Sequence, residues 1–159
     1  MNEPPIDSVA KKRAATLVVR RCINATREKL FAAWTQPTIL VRWWGPEGVI
    51  CPVAEIDLRV GGSYRIANQF PDGTVVWIAG KFEVIEPPHR LTYTWKLESQ
   101  KGPVERVTVC FEVYGAATEV VVTHKRIPDD AARTSHERGW IGCLDSLLKY
   151  AERPGNWGP

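Results

Sequence analysis

A series of strand segments followed by one long helical segment restricts the folds open to this 159-residue chain. Residues 16–23 have a strand pattern, and two short helical segments follow between residues 26 and 45. Six more strand segments lie within 49–125, and a single helix is predicted from Asp129 to about Tyr150. Because no helix separates the six strands, βαβ units are excluded and the sheet is predicted to be antiparallel.

The predicted strands have one buried face, and the last helix is long enough to cover it. In the segment Leu91–Leu97, apolar side chains at every second position alternate with polar ones, which is typical of a half-buried strand. Asp129 is a suitable helix N-cap, and Pro154 lies just beyond the predicted end. A helix of about 22 residues measures roughly 33 Å, which is the width of a whole sheet.

An internal cavity follows from this arrangement. A twisted sheet of six to seven strands curls, and one helix about 10 Å wide does not fill its concave side. The long helix also contains Gly139 and Gly142, and each glycine costs about 1 kcal/mol relative to alanine. Either close packing of the helix on the sheet or space for a ligand would explain the two glycines. The two explanations are compatible if one end of the helix packs tightly and the other end stands away from the sheet. The predicted fold is α+β, with two short helices and one long C-terminal helix enclosing a cavity.

Composition and charge exclude several classes of protein. The chain is 44% hydrophobic and 25% charged, with a net charge of +3 and scattered basic residues, so a dedicated nucleic-acid binder is not expected. No secretory signal or membrane span is visible, which predicts a cytoplasmic protein. We expect a flexible leader over residues 1–14, one domain over 15–151 and a C-terminal tail over 152–159.

The cysteines and histidines show no catalytic or metal-binding spacing. Cys143 lies seven residues after His136, about 10.5 Å along a helix, too far for a nucleophile and its base. His89, His124 and His136 fall in different elements. We therefore predict no catalytic residue, no metal site and no cofactor. The four cysteines lack a paired CxxC spacing and are predicted to be free thiols: Cys22, Cys51, Cys110 and Cys143.

Aromatic residues are the better candidates for a binding site. The chain has seven tryptophans, and each buries a large area while its indole N–H needs a partner. Trp43 and Trp44 are predicted to anchor the second short helix over the sheet edge. The candidates for the cavity wall share a position on the predicted concave face or on the long helix. They are Tyr64, Trp77, Tyr93, Trp95, His136, Trp140 and Cys143.

Several motifs, in one order, resemble a known family. They are Arg42–Pro46, Asp57–Arg65, Pro71–Thr74, Val84–Leu91, Tyr93–Trp95, Thr123-His124 and Gly139–Asp145. From about Ala15 to Tyr150 the chain resembles bacterial stand-alone domains related to the C-terminal part of the activator of the ninety-kilodalton heat-shock protein ATPase. That family belongs to the START and birch-pollen-allergen-like superfamily. The resemblance implies a helix-grip fold and the binding of hydrophobic small molecules, but no particular reaction.

Three functions remain as hypotheses. The preferred one is binding of a hydrophobic or aromatic small molecule in the cavity. The second is a stress-linked co-chaperone or protein-interaction domain, which would need a contiguous exposed patch. The third is a cyclase, dehydratase or hydrolase acting on an aromatic or polyketide-like substrate, which would need perturbed titratable groups inside the pocket. A homodimer also remains open.

Chaperone activation itself is not expected. The resemblance implies that a separate N-terminal domain of the eukaryotic activator helps to engage the chaperone. The segment before Ala15 is too short for such a domain.

Overall fold

A computed structural model describes residues 15–157 of the chain. The first strand, β1 (Ala15–Ile23), leads into two short helices, α1 (Arg27–Thr35) and α2 (Pro37–Trp43). The remaining elements are β2 (Ala54–Ile56), β3 (Ser63–Gln69), β4 (Val75–Glu86), β5 (Arg90–Leu97), β6 (Glu105–Tyr114), β7 (Ala117–Ile127), α3 (Asp130–Ala151) and a 3₁₀ turn (Pro154–Trp157). The predicted leader over residues 1–14 lies outside the described residues.

The seven strands form one antiparallel sheet in the order β1-β7-β6-β5-β4-β3-β2. β1 pairs with β7, so the start of the domain completes the sheet beside the strand that leads into α3. The pairing of β4 with β5 shifts between Phe82 and Val84, and a bulge of this kind bends a strand and increases its twist. The predicted antiparallel α+β architecture and its helix-grip arrangement are confirmed.

Alternation of apolar and polar residues decides which face of the sheet holds the core. In β1, Leu17 and Val19 are buried while Val18 between them is exposed. The helices cover the same concave face, and Phe31 of α1 packs edge-on against Phe111 of β6 with ring centroids 5.6 Å apart. The core is therefore a single layer between the sheet and its three helices.

Two segments differ from the sequence-based boundaries. The first of the six strand segments within 49–125 extends from Cys51 to Leu58 by its sequence pattern, but β2 covers only Ala54–Ile56. Pro52 has no backbone N–H to donate to a ladder, and Ile50 instead pairs with Gln69 through an isolated bridge. Beyond residue 151, Trp157 folds back to donate its indole N–H to the Ala151 carbonyl at 3.2 Å. The packed part of the chain therefore extends past the predicted start of the tail.

The long helix α3 is capped as its sequence predicts. The Asp129 carboxylate accepts a hydrogen bond from the backbone N–H of Ala132 at 2.8 Å. α3 packs against β1 and against α2. No helix within residues 15–157 is both long enough and apolar enough to cross a bilayer.

The two glycines of α3 have different roles. A Cβ atom built on Gly142 would lie 2.5 Å from the Cβ atom of Pro46, so this glycine permits close contact with the segment that follows α2. A Cβ atom built on Gly139 would meet nothing within 4 Å. One part of the helix thus packs tightly while the neighbouring turn borders open space.

Substituting each glycine with alanine should separate these roles. We expect Gly142→Ala to lower the free energy of unfolding by about 1–2 kcal/mol, because overpacking against Pro46 exceeds the gain in helix propensity. Gly139→Ala should leave stability unchanged or raise it by up to about 1 kcal/mol. Urea unfolding of both variants measures the difference, and equal effects would contradict the assigned packing.

Candidate functional site

A cavity of about 390 Å³ lies between α3, the segment after α2 and the concave face of the sheet. Its wall is mostly apolar, and Phe70, which is 40% exposed, lies where the cavity meets solvent. The lining residues are Trp44, Gly45, Pro46, Val49, Asn68, Phe70, Val76, Ile78, Trp95, Leu97, Ser135, His136, Gly139, Trp140 and Cys143. Gly139 faces the open space described above, so the missing side chain contributes directly to the volume.

Tryptophans hold one another in place around the cavity. Trp140 stacks on Trp34 with an interplanar angle of 21° and meets Trp44 edge-on, with centroids 5.8 Å apart. The indole N–H of Trp44 donates to Asn68 Oδ1 at 2.9 Å. These contacts fix the ring planes, so the wall is preformed.

Four of the seven predicted residues lie on the cavity wall. They are Trp95, His136, Trp140 and Cys143. Tyr64 and Tyr93 belong to the same concave face, but they border a separate void of only about 10 Å³. The Tyr64 hydroxyl donates to the Thr94 carbonyl at 2.6 Å, and burial raises its pKa well above the usual range. The two tyrosines are therefore core residues beside the cavity.

The prediction that Trp77 lines the cavity is wrong. Val76 and Ile78 line it, and successive side chains of a strand point to opposite faces, so Trp77 faces the other side of the sheet. There the Arg65 guanidinium carbon lies 3.9 Å from the centroid of a Trp77 ring. This contact is a cation–π pair on the outer surface.

Trp44 and Asn68 are among the lining residues that the sequence did not assign to the cavity. Trp44 was interpreted as a structural anchor, yet it also forms part of the wall. Asn68 was not considered, although its place in β3 puts it on the same face as Tyr64 and Ile66. Strand alternation in the sequence could therefore have predicted that Asn68 lines the cavity. The position of Trp44 could not be predicted in this way, because it depends on the Gly45-Pro46 turn.

A buried polar cluster borders the cavity. One carboxylate oxygen of Glu105, Oε1, lies 2.8 Å from Nε2 of His124 and 2.8 Å from Nε2 of His136. The two imidazole rings stack with centroids 4.7 Å apart, and Trp95 meets both edge-on. The sequence placed the histidines in different elements without relating them; β6, β7 and α3 bring two of them together.

Trp140 determines which nitrogen of His124 carries the proton. Its indole N–H lies 3.0 Å from His124 Nδ1 and can only donate, so Nδ1 must accept. His124 is therefore a neutral imidazole protonated at Nε2, from which it donates to Glu105. Complete burial lowers the pKa of His124 below its usual value, although the bond to Glu105 opposes this.

Glu105 is the ionised acceptor of the cluster. Burial alone would raise its pKa, but the hydrogen bonds from His124 and His136 outweigh burial, and the pKa lies below its usual value. A buried carboxylate is tolerated when its oxygens are hydrogen-bonded to donors. Both histidines therefore donate to Glu105 through Nε2–H.

The cluster has the spacing of a metal site but not its hydrogen-bonding pattern. Donor atoms of Glu105, His124 and His136 lie within 4.8 Å of one another. A metal on His124 Nε2 would require the proton on Nδ1, directly opposite the indole N–H of Trp140. The arrangement instead suits a chain of hydrogen bonds.

Burial makes the thiols of Cys51 and Cys143 poor nucleophiles. All four cysteines are free. Burial raises the pKa of the Cys143 thiol to about 12 and that of the Cys51 thiol to about 11. The reactive thiolate is therefore absent near neutral pH. Cys143 contributes an apolar surface to the cavity wall.

Comparison with known proteins identifies a family. Residues 24–152 match the family of "Activator of Hsp90 ATPase homolog 1-like protein". A Chromobacterium violaceum protein of known structure is 26% identical with a TM-score of 0.79, over 87% of this chain and 97% of its own. The Silicibacter pomeroyi AHSA1 protein is 26% identical with a TM-score of 0.76, over 85% and 96%.

A third similar structure has a described activity. It is an Hsp90 activator from Plasmodium falciparum, 26% identical with a TM-score of 0.66, over 83% of this chain and 92% of its own. No curated protein matches the chain in sequence.

The cluster predicts a loss of stability in acid. His124 has a lowered pKa when folded, so the unfolded chain takes up its proton first as the pH falls below about 6.5. Glu105 has a lowered pKa when folded, so its stabilisation is lost below about pH 4.3. We therefore expect the free energy of unfolding to fall from pH ~7.5 to pH ~5, mainly through His124.

The variant His124→Gln isolates this effect, because glutamine keeps a donor for Glu105 but does not titrate. Urea unfolding at the two pH values should show a smaller difference in the variant than in the parent. An equal difference would contradict a buried, neutral His124.

Proposed function

The chain belongs to the family of activator of Hsp90 ATPase homologue 1-like proteins, and we propose that it binds an apolar or aromatic small molecule in the cavity beneath α3. The cavity itself carries this proposal. Its volume of about 390 Å³ lies within the range of roughly 300–1,000 Å³ that small-molecule sites occupy.

Such a space needs an explanation other than imperfect packing. Protein interiors contain few voids larger than a water molecule, because an unfilled void forfeits dispersion contacts and stability. This cavity is bordered by Gly139 in a helix, where alanine would fit without a clash and would favour the helix. A site that must admit a ligand accounts for both features.

The composition of the wall indicates the class of ligand. Trp44, Trp95 and Trp140 offer flat apolar surfaces, and tightly packed neighbours hold their rings in fixed planes. The polar side chains among the lining residues are few, chiefly Asn68 and His136. An apolar wall with a small number of placed polar groups is typical of small-molecule sites, and the tryptophan faces favour stacking with an aromatic ligand.

Similarity to the Plasmodium falciparum Hsp90 activator supports a second candidate, a protein-interaction domain that acts on a chaperone. Exposed apolar side chains that could serve such a contact include Val113 and Tyr114 at the tip of the β6–β7 hairpin, and Leu58 and Val60 ahead of β3. We expect the purified chain to leave Hsp90 ATP turnover unchanged. An acceleration that rises with the concentration of the chain would favour the second candidate.

Binding of naphthalene tests the first candidate. Naphthalene should raise the unfolding temperature, because it binds only the folded state. It should also quench tryptophan fluorescence, because Trp44, Trp95 and Trp140 line the cavity. At ten times Kd the stabilisation is about 1.4 kcal/mol, or ~3–6 °C for a domain of this size. Gly139→Leu should abolish both responses, because the leucine side chain occupies the cavity.

Arg138→Leu is the matched control. It places a leucine at the preceding position of α3, where the side chain is exposed, and should bind naphthalene like the parent. No response in the parent, or an undiminished response in Gly139→Leu, would rule out the cavity as the binding site.

A further inference from the structure

We propose that the ligand carries an acidic hydroxyl group, a phenol or an enol, and that the Nδ1 atom of His136 accepts its hydrogen bond. This rests on the proposed function, because it concerns the polar contact made by a molecule already inside the cavity. It adds the class of ligand, which an apolar wall alone does not specify.

His136 reaches the cavity with one of its two ring nitrogens committed. Its Nε2 atom lies 2.8 Å from Glu105 Oε1. The Nδ1 atom of His136 makes no hydrogen bond within residues 15–157. Every buried side-chain nitrogen and oxygen in this range has a hydrogen-bond partner, so Nδ1 is not one of the buried atoms. Nδ1 is therefore on accessible surface, and His136 is a lining residue of the cavity.

The hydrogen-bond chain determines what Nδ1 offers. Trp140 forces His124 to donate from Nε2, and the Glu105 carboxylate has only acceptors. The bond between Glu105 and His136 therefore requires a proton on His136 Nε2. In the neutral imidazole this leaves Nδ1 bare, as a hydrogen-bond acceptor and a base.

Glu105 also favours an acidic donor over a weakly acidic one. When the ligand O–H donates to Nδ1, the proton can pass to nitrogen while oxygen keeps the bonding electron pair. The resulting imidazolium lies beside the Glu105 carboxylate, which stabilises it. A phenol or enol gives up its proton more readily than an aliphatic alcohol and gains more from this site.

A second polar contact has the opposite character. The Trp44 indole N–H donates to Asn68 Oδ1, which assigns the amide oxygen and leaves the Nδ2 hydrogens as donors. Nδ2 makes no side-chain hydrogen bond within the described part of the chain, and Asn68 lines the cavity. An ether or carbonyl oxygen can accept from Asn68 but cannot donate to His136, whereas a hydroxyl can do both.

Three probes of nearly equal shape separate these contacts. They are naphthalene, 2-methoxynaphthalene, which keeps the oxygen but has no donor, and 2-naphthol, which has both. Titration calorimetry with the full chain should show 2-naphthol binding roughly five- to tenfold more tightly than 2-methoxynaphthalene, the size of one net hydrogen bond.

His136→Phe tests the role of the ring nitrogen. In the variant His136→Phe the side chain keeps a ring but has no hydrogen-bond acceptor, so the preference for 2-naphthol over 2-methoxynaphthalene should fall below about twofold. Arg138→Leu, on the same helix but with an exposed side chain outside the cavity wall, should keep the preference. Glu105→Gln should reduce the preference for 2-naphthol although residue 105 does not contact the ligand. The substitution removes the negative charge beside the imidazole of His136.

Equal affinities of the parent for 2-naphthol and 2-methoxynaphthalene would overturn the proposal while leaving cavity binding intact. A preference retained in His136→Phe would also overturn it. If none of the three probes binds the parent, the proposed function fails together with this inference. The comparison of 2-naphthol with 2-methoxynaphthalene in the parent tests the proposal even if a variant does not fold.

Discussion

The hydrogen bond from the indole N–H of Trp140 to His124 Nδ1 sets the direction of the polar network beside the cavity. An indole nitrogen can only donate, so His124 must be neutral and must donate from Nε2. Glu105 then accepts from His124 and from His136, and it remains ionised although it is buried. One donor on α3 thus determines the protonation of His124, and the ionised Glu105 in turn requires a proton on Nε2 of His136.

Helix α3 packs closely on the rest of the fold at one point and borders the cavity at another. Gly142 lets α3 approach Pro46 closely, and Gly139, one turn earlier, has no neighbour for a Cβ atom. Between them, Trp140 forms part of the wall and donates to the polar network. Because packing, volume and polarity depend on one stretch of helix, a change there alters stability and the proposed binding together.

Local patterns in the sequence predicted the fold, because strand alternation and helix length are properties of neighbouring residues. They also placed Trp95 and Trp140 on the cavity wall. Trp77 was misplaced because β4 carries apolar residues on both faces, so periodicity gave no signal for its direction. Glu105 and His124 were missed because their contact depends on how β6 and β7 pair, with Val107 opposite His124, which no local pattern encodes.

Histidine ring ¹⁵N chemical shifts at neutral pH test the central claim most directly, because they report which nitrogen carries the proton. The account predicts that His124 has a protonated Nε2 and a bare Nδ1, and that this pattern is lost or weakened in Trp140→Phe. A doubly protonated His124, or one protonated at Nδ1, would contradict the direction of the network.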